Sequence, residues 1–210
     1  MVADGMGGQA AGNVASDIFH SVTAALFSKR DNSLDSAELI EHCFNQAHLE
    51  IQDQVKRAPA LEGMGCTADL LVINGSHFTL GHVGDSRTYR LRNNTLEQLT
   101  RDHSFVQQQV DLGLITPDQA LTHKMRSVIL QAVGVSESLE VDIIEGEVHP
   151  GDMFMLCTDG LYTMLQEEKI QHILESGMSL EQMGALLIEL ANGAGGKDNI
   201  TVVLAAADMA

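Results

Sequence analysis

Four aspartates in this chain each lie beside an apolar run, in the company of small residues. They are Asp4 in VADGMGG, Asp85 in GHVGDSR, Asp159 in MLCTDGL and Asp198 in GGKDNITVVL. Three of the four precede Gly or Asn, residues that tolerate tight turns and let another backbone come close. Four carboxylates brought together by folding, with no matching group of Lys or Arg, would need a cation. The pattern therefore predicts a metal site.

Each aspartate also has an ordinary structural explanation. Asp4 could form the turn of a strand–turn–helix connection, and Asp85 could belong to a hairpin turn. Asp159 and Asp198 could be turn residues or helix N-caps. The carboxylate of Asp4 followed by the backbone carbonyl of Gly5 nevertheless suits a hard divalent cation such as Mg²⁺ or Mn²⁺, which prefers oxygen ligands. No single motif decides between these interpretations.

The composition is that of a globular protein. A chain of 210 residues with 44% hydrophobic and 20% charged residues is long enough for one domain with a sizeable core. The net charge of −17 argues against a nucleic acid or an anionic membrane as partner. It would also repel a phosphorylated substrate, unless bound cations reverse the local field.

Cysteine content and the absence of targeting segments predict the cytoplasm. Cys43, Cys66 and Cys157 form no CxxC motif and leave one thiol unpaired, which is typical of a reducing compartment. No apolar stretch approaches the roughly 18 residues of a membrane span. The start of the chain, MVADGMGG, has neither the basic nor the apolar region of a signal peptide.

Two elements precede the β-rich part of the chain. Apolar residues at every fourth position predict helices over 8–29 and 34–57, and Pro59 is a stop signal after the second. From Thr67 the period changes to that of strands. Turn residues at Asn74-Gly75, Gly84-Asp85 and Asn93-Asn94 then separate four short runs, which together predict an antiparallel meander: TADLLVI, HFTLGHV, RTYRLR and TLEQLT.

The segment 103–131, which we call the flap, interrupts the strands. Two short helices are predicted there, the second beginning at Thr116-Pro117 with Gln119 completing a capping box. Strands resume at LEVDIIEGEV and DMFMLCT, on either side of the turn His149-Pro150-Gly151. Helices at about 166–176 and 179–192 and a last strand, NITVVLAAA, follow. This order favours an α+β layered sandwich with helices outside two sheets.

Six ordered motifs resemble those of one known family. VADGMGG, GMGCTA, GHVGDSR, LTRDHS, CTDGL and GGKDNITVV are similar to the metal-dependent protein phosphatases, the PPM or type 2C family of Ser/Thr phosphatases, over Val2 to about Leu204. The resemblance implies a four-layer α-β-β-α sandwich of two antiparallel sheets flanked by helix pairs. It also implies a single domain over 1–210 with the flap as a subdomain, and a bacterial type of enzyme.

The resemblance also implies a role for each matching residue. Asp4 would bridge two Mn²⁺ or Mg²⁺ ions, and the carbonyl of Gly5 would bind one of them. Asp159 and Asp198 would hold the other ion, and Asp85 together with Asp159 would bind a third, weaker one. The nucleophile would be a hydroxide held between the two ions, so that no side chain serves as a catalytic nucleophile. No substrate-binding residue is assigned.

This chain departs from the family at three places. Cys66 occupies a position where the family has Thr, and Met6 and Gln9 stand where a histidine could protonate the leaving group. The family's phosphate-binding arginine and a further acidic metal ligand would precede Met1. The resemblance therefore implies an N-terminally incomplete domain, which would weaken or abolish the activity of the chain alone.

The partners implied are phosphorylated proteins, the substrates of a cognate Ser/Thr kinase, with no nucleic acid, no membrane and a monomeric state. A catalytically impaired phosphatase fold acting as a regulatory binding module is the alternative from another class. A third possibility is a di-metal hydrolase acting on small phosphoesters. The nine histidines show no HxH or HxxxH spacing, so zinc is not predicted. Neither Cys66 nor Cys157 lies in a CxxxxxR loop, which argues against a phosphocysteine intermediate.

Overall fold

Two antiparallel four-stranded sheets form the centre of the protein in a computed structural model, which describes residues 1–29, 35–136 and 138–207. The first sheet has the order β1-β2-β3-β6 and the second the order β5-β4-β7-β8. The strands are β1 (Val2–Met6), β2 (Gly65–Asn74), β3 (His77–Val83), β4 (Arg87–Arg92), β5 (Thr95–Gln98), β6 (Asp142–Glu147), β7 (Met153–Cys157) and β8 (Val202–Ala206).

Seven helices surround the sheets in the described part of the chain. Four of them begin at residues whose side chains accept a backbone N–H: Asp35, Ser104, Thr116 and Ser179. The last two form capping boxes, which satisfy amides left free at a helix start, and the box at Thr116 is the one predicted above. The helices are α1 (Gln9–Ser28), α2 (Ser36–Arg57), α3 (Phe105–Asp111), α4 (Pro117–Leu121), α5 (Asp159–Tyr162), α6 (Glu167–Leu174) and α7 (Leu180–Gly193), with a 3-10 turn at Pro59–Leu61.

Three apolar clusters separate the four layers. Helices α1 and α2 cover the first sheet, and Phe19 and Phe44 meet edge to face there, with ring centroids 4.9 Å apart. Helices α6 and α7 cover the second sheet around buried residues such as Met155 and Leu187. A smaller cluster that includes Phe78, Leu80 and Phe154 contains residues from both sheets. This arrangement confirms the predicted α-β-β-α sandwich.

The predicted four-strand meander is wrong at its middle. Strands β2 and β3 pair, and β4 and β5 pair, but β3 and β4 belong to different sheets. The second edge of β3 is occupied by β6 and that of β4 by β7, so the chain crosses between layers at Gly84-Asp85. The turn 149–151 makes a second such crossing, from β6 to β7. Local turn signals do not distinguish a hairpin from a crossing between sheets.

Several boundaries also differ from the prediction. Asp4 is the central residue of β1 and does not end it. Strand β8 begins at Val202, three residues later than predicted, and the short helix α5 was not expected. The first residue of the predicted 34–57 helix lies outside the described residues. Within the described part of the chain, no helix combines the length and the apolar character needed to span a bilayer.

Candidate metal centre

Elements from both sheets carry the four predicted ligands. Asp4 lies in β1, and Asp85 lies in the crossing loop between β3 and β4. Asp159 is the first residue of α5, separated from the end of β7 by Thr158 alone, and Asp198 lies four residues before β8. Asp85 is buried, Asp4 and Asp159 are partly buried, and Asp198 is exposed. We call these four side chains the open carboxylates.

A close backbone approach explains the glycine after Asp4. A Cβ atom on Gly5 would lie 2.0 Å from the carbonyl oxygen of Gly12, and one on Gly12 would lie 2.5 Å from that of Gly5. Only glycine at both positions lets the first turns of α1 lie directly against β1. The predicted metal-binding carbonyl of Gly5 therefore belongs to a backbone whose position is fixed by this contact.

A second close approach brings Asp198 towards Asp159. A Cβ atom on Gly160 would lie 2.1 Å from the carbonyl oxygen of Asn199. The hydroxyl of Thr158 accepts a hydrogen bond from the amide of Thr201 (3.1 Å) and donates one to the carbonyl of Asn199 (3.3 Å). These contacts extend the pairing of β7 and β8 as far as the carboxylates. The DG and DN dipeptides thus serve packing as well as turn formation.

The loop that carries Asp85 is held by hydrogen bonds on both sides. The carbonyl of Gly84 accepts from the amide of His103 (2.7 Å), and the amide of Gly84 donates to Nδ1 of His103 (3.2 Å). On the other side, the hydroxyl of Tyr162 donates to the carbonyl oxygen of Asp85 (2.8 Å). The loop is therefore fixed by residues of the flap and of α5.

The open carboxylates act on one another electrostatically. Burial raises the pKa of Asp4 to about 7, together with the charges of Asp159 and Asp198 and a hydrogen bond with Asp159. Burial and the charges of Asp159, Asp102 and Asp4 raise the pKa of Asp85 to about 7, against an opposing effect of Arg87. Burial and the charge of Asp198 likewise raise the pKa of Asp159. Each of the four predicted ligands therefore interacts electrostatically with at least one of the others.

The donor set fits a hard divalent cation. Within the described residues, no ion pair to Lys, Arg or His involves any of the four. Over the same residues, no group of three His, Cys, Asp or Glu side chains is arranged closely enough to hold one ion by itself. The two observations are compatible, because Mg²⁺ and Mn²⁺ keep several water ligands and also accept backbone carbonyls. Mutual repulsion without a basic partner is what a bound cation would relieve.

A second set of aspartates, Asp69, Asp102 and Asp152, contrasts with the first, and we call them the paired carboxylates. Asp69 and His82 are fully buried, with 2.6 Å between Oδ1 and Nδ1, and the hydroxyl of Thr88 donates to Oδ2 of Asp69 (2.5 Å). Nε2 of His82 donates to the carbonyl of Arg101 (3.0 Å). Burial alone would lower the pKa of His82, but the charge of Asp69 and this hydrogen bonding raise it. The pair joins β2 and β3 to β4.

The other paired carboxylates bind arginines with two hydrogen bonds each. Arg87 donates to Asp102 through Nε (2.9 Å) and Nη2 (2.8 Å), and Arg92 donates to Asp152 (2.7 and 2.6 Å). These bonds from Arg92 hold the pKa of Asp152 below its usual range. The guanidinium of Arg87 also lies over the ring of Tyr162, 3.8 Å from its centroid. Bidentate pairs of this kind restrain both partners.

Sequence patterns predict His82 as a structural residue but do not identify Asp69, Arg87 or Tyr162. The sequence does contain one signal for Asp69. This residue interrupts the apolar run TADLLVI, and its side chain is buried in the structure. A charged residue inside a buried strand requires a partner. The tyrosine gave no comparable signal, since its partner is a backbone carbonyl 77 residues earlier in the chain.

The cysteines have no arrangement for nucleophilic chemistry. All three are free and buried. Burial and the charge of Asp4 raise the pKa of Cys66 to about 12, and burial also raises the pKa of Cys157. Neither thiol is ionised at neutral pH, which a nucleophilic cysteine would require. Met6 ends β1, and the side chain of Gln9 lies outside the described part.

The base of the flap contacts the strands that carry or precede the open carboxylates. Val133, just after the flap, exchanges two backbone hydrogen bonds with Cys66 (3.0 and 2.8 Å), which is paired with Gly5. At the other end, His103 binds Gly84 and accepts from the amide of Leu130 (2.7 Å). The two predicted flap helices are present as α3 and α4. The flap is thus connected to the neighbourhoods of both Asp4 and Asp85.

Comparisons with known proteins agree with this architecture. The family model of protein phosphatase 2C matches residues 1–204. The serine/threonine phosphatase stp of Listeria welshimeri is 38% identical over 208 residues, covering 97% of this chain and 82% of that protein. The serine/threonine protein phosphatase PstP of Mycobacterium tuberculosis is 39% identical over 204 residues, covering 97% of this chain and 39% of that protein.

Solved structures give the same result. The crystal structure of the M. tuberculosis phosphatase PstP/Ppp superposes with a TM-score of 0.92 at 39% identity, over 98% of this chain and 86% of that one. The catalytic domain of PstP in complex with two manganese ions has a TM-score of 0.87 at 37% identity, over 96% and 84% of the two chains. With a family match across nearly its whole length and relatives at this identity, the chain belongs to the protein phosphatase 2C family.

Proposed function

We propose that this protein is a metal-dependent serine/threonine protein phosphatase, a hydrolase of phosphoserine and phosphothreonine monoesters. The observation that carries the proposal is the group of open carboxylates, where burial and neighbouring carboxylates raise the pKa of Asp4, Asp85 and Asp159 without a basic ion-pair partner in the described residues. A site with this excess of negative charge binds a phosphoryl group only if cations intervene. The names of the relatives, all Ser/Thr or protein phosphatases, support the same activity.

We assign Asp4, the carbonyl of Gly5, Asp159 and Asp198 to two Mn²⁺ or Mg²⁺ ions, and Asp85 with Asp159 to a third and weaker ion. The manganese complex of a structural relative supports the choice of cation. When bound, such ions neutralise charge on the phosphoryl oxygens and lower the pKa of a bound water to near neutrality. The chain's own contribution is to hold oxygen donors from both sheets at fixed positions. The buried thiols and Met6 supply no general acid.

The proposed substrates are phosphorylated proteins, those of a cognate Ser/Thr kinase, and the proposed state is a monomer in the cytoplasm. The free, buried cysteines support a reducing compartment. The net charge of −17 supports the expectation that neither nucleic acid nor an anionic membrane is a partner. The flap connects to the strands around the site, so it is placed to contact a bound protein.

The experiment is hydrolysis of an aryl phosphate and of a phosphothreonine peptide at increasing Mn²⁺ concentration. We expect saturable, Mn²⁺-dependent turnover that falls at least about 100-fold in Asp159→Asn, because losing a ligand removes several kcal/mol of transition-state stabilisation. Asp53→Asn is a matched control. It makes the same chemical change on the exposed face of α2, where Asp53 pairs with Arg57, and should leave turnover unchanged.

Two results would decide for the alternatives. A folded chain without metal-dependent turnover, whose capture of a phosphoprotein survives Asp159→Asn, would be a regulatory binding module. Turnover of the aryl phosphate with no measurable turnover of phosphopeptides or phosphoproteins would indicate a hydrolase of small phosphoesters. Circular dichroism of each variant separates loss of activity from loss of fold.

A further inference from the structure

The single turn of α5 presents two groups to the candidate metal centre. Asp159 begins the helix and Tyr162 ends it. The hydroxyl of Tyr162 donates a 2.8 Å hydrogen bond to the carbonyl oxygen of Asp85, across 77 residues of sequence. Asp85 lies in the loop that crosses from the first sheet to the second. One hydrogen bond therefore joins the element that carries Asp159 to the loop that carries Asp85.

The ring of Tyr162 is held in place by a chain of contacts. The guanidinium of Arg87 lies 3.8 Å from the ring centroid. Arg87 is itself fixed by the bidentate pair with Asp102 and by a bond from Nη1 to the hydroxyl of Tyr89 (3.2 Å). A cation over the face of an aromatic ring is attracted to it, and more strongly when both are shielded from water. The phenol therefore points at Asp85 from a restrained ring.

The bond leaves the carboxylate of Asp85 free, because it uses the backbone carbonyl of that residue. The hydrogen bond from Tyr162 ties the loop of Asp85 to the helical turn that begins at Asp159, and the charge of Asp159 raises the pKa of Asp85 more than that of any other charged neighbour. Asp4 and Asp198 are positioned by other elements, namely β1 and the loop before β8. Loss of the phenol would therefore loosen Asp85 relative to Asp159 and leave the other open carboxylates in place.

We infer that Tyr162 is a positioning residue, which fixes the separation of Asp85 and Asp159 and so sets the affinity of the weak cation that these two carboxylates share. The inference rests on the proposed function, which makes both residues metal ligands. The role belongs to the hydroxyl group, and the aromatic ring serves to aim it.

Calorimetric titration of the metal-free protein with Mn²⁺ alone tests this, without any measurement of turnover. In Tyr162→Phe we expect the weakest binding phase to shift to about three- to tenfold higher Kd, the size expected for one lost hydrogen bond, with the tighter phases within about twofold of wild type. Tyr89→Phe is the matched control. It removes a buried hydroxyl that is hydrogen-bonded to Arg87 and Glu167 and makes no hydrogen bond with Asp85. The bidentate pair with Asp102 still holds Arg87 over the ring of Tyr162 in this variant, so the weakest phase should not move.

Tyr162→Leu separates the hydroxyl from the ring. If the inference is right, the leucine variant weakens the last phase at least as much as the phenylalanine variant. An effect in Tyr162→Leu with none in Tyr162→Phe would overturn the role of the hydroxyl. An equal shift of all phases would overturn it as well, because general destabilisation would then explain the result. Melting of the metal-free variants, expected to be similar for Tyr162→Phe and Tyr89→Phe, measures that contribution.

Failure of the inference and failure of the proposed function give different results. If the wild-type protein binds Mn²⁺ in tight phases but Tyr162→Phe titrates identically, or if wild type has no weak phase, only the inference falls. If wild type binds no Mn²⁺, the proposed function falls and the inference with it.

Discussion

The open and the paired carboxylates are chemically alike but in opposite electrostatic states. Asp69, Asp102 and Asp152 each accept hydrogen bonds from a histidine or an arginine, at 2.6 to 2.9 Å. The open carboxylates have one another for neighbours, and the pKa values of Asp4 and Asp85 rise to about 7. Burial is therefore not what distinguishes them, since Asp85 and Asp69 are both buried. The difference is whether the fold supplies the opposite charge.

The paired carboxylates stabilise the folded chain, whereas the open carboxylates are arranged to bind a ligand. A buried charge with a complete set of partners restrains the elements around it, and removal of one partner is strongly destabilising. A buried charge that repels its neighbours lowers the free energy of unfolding of the metal-free protein. Binding of a cation removes this repulsion and raises the free energy of unfolding again. Substitutions in the two sets should therefore change stability in opposite directions.

The largest effect is expected at the paired set. In Asp69→Asn, His82 loses the buried carboxylate that lies 2.6 Å from its Nδ1 and raises its pKa, so the pair is left without its negative partner. We expect the free energy of unfolding to fall by about 3–5 kcal/mol in urea titrations. The exposed pair of Asp53 and Arg57 is the control, and Asp53→Asn should cost less than about 1 kcal/mol. Equal losses of unfolding free energy in the two variants would show that a buried ion pair stabilises this fold no more than an exposed one.

The opposite sign is expected at the open set. Asp4→Asn removes a charge that the fold disfavours, so metal-free protein at pH 8 should gain about 1–2 kcal/mol, less than the full shift in pKa implies because solvent screens part of the repulsion. For a chain of this length, the gain would raise Tm by a few degrees. The same variant should lose the rise in Tm that Mn²⁺ gives the wild type. A metal-free Asp4→Asn that melts below wild type would contradict the contrast.

A smaller effect is expected from pH. The pKa of Asp4 and of Asp85 is about 7 in the folded chain, against about 4 for an unfolded carboxyl, so the folded state binds more protons between these values. Their contribution to stability is complete below about pH 4 and is lost as pH rises to about 7. In EDTA, Tm should therefore fall between pH 5.5 and 8 more steeply for wild type than for the double variant Asp4→Asn, Asp85→Asn. Saturating Mn²⁺ should reverse the trend, since ligands must be deprotonated to bind it.

Local patterns predicted most of the fold and the members of the open set. Periodicity and capping residues located nearly all helices and strands, because these signals depend on neighbours in sequence. The crossing at Gly84-Asp85 was missed, because a hairpin and a change of sheet have the same turn residues. Which strand lies beside β3 depends on β6, which begins some 60 residues later.

The site was predicted in part for the same reason. Asp4, Asp159 and Asp198 stand in motifs whose small residues can be recognised in the sequence, and their roles as ligands stay predictions. The partners of the paired carboxylates lie 13, 15 and 60 residues away in the chain, and Tyr162 acts through a backbone carbonyl 77 residues earlier. Neither leaves a local pattern. The role of a side chain is hard to predict from sequence when it depends on which distant element packs against that side chain.

The base of the flap also has a consequence for how such proteins can change over time. Its two ends are adjacent, since the amide of Leu130 donates to the carbonyl of His103 and the amide of Phe105 donates to that of Val128. A loop whose ends already meet adds little closure entropy when it lengthens, because that cost grows only with the logarithm of its length. The segment between Phe105 and Val128 can therefore gain, lose or exchange residues while the strands of both sheets stay paired. The two sheets and the flap can diversify at different rates.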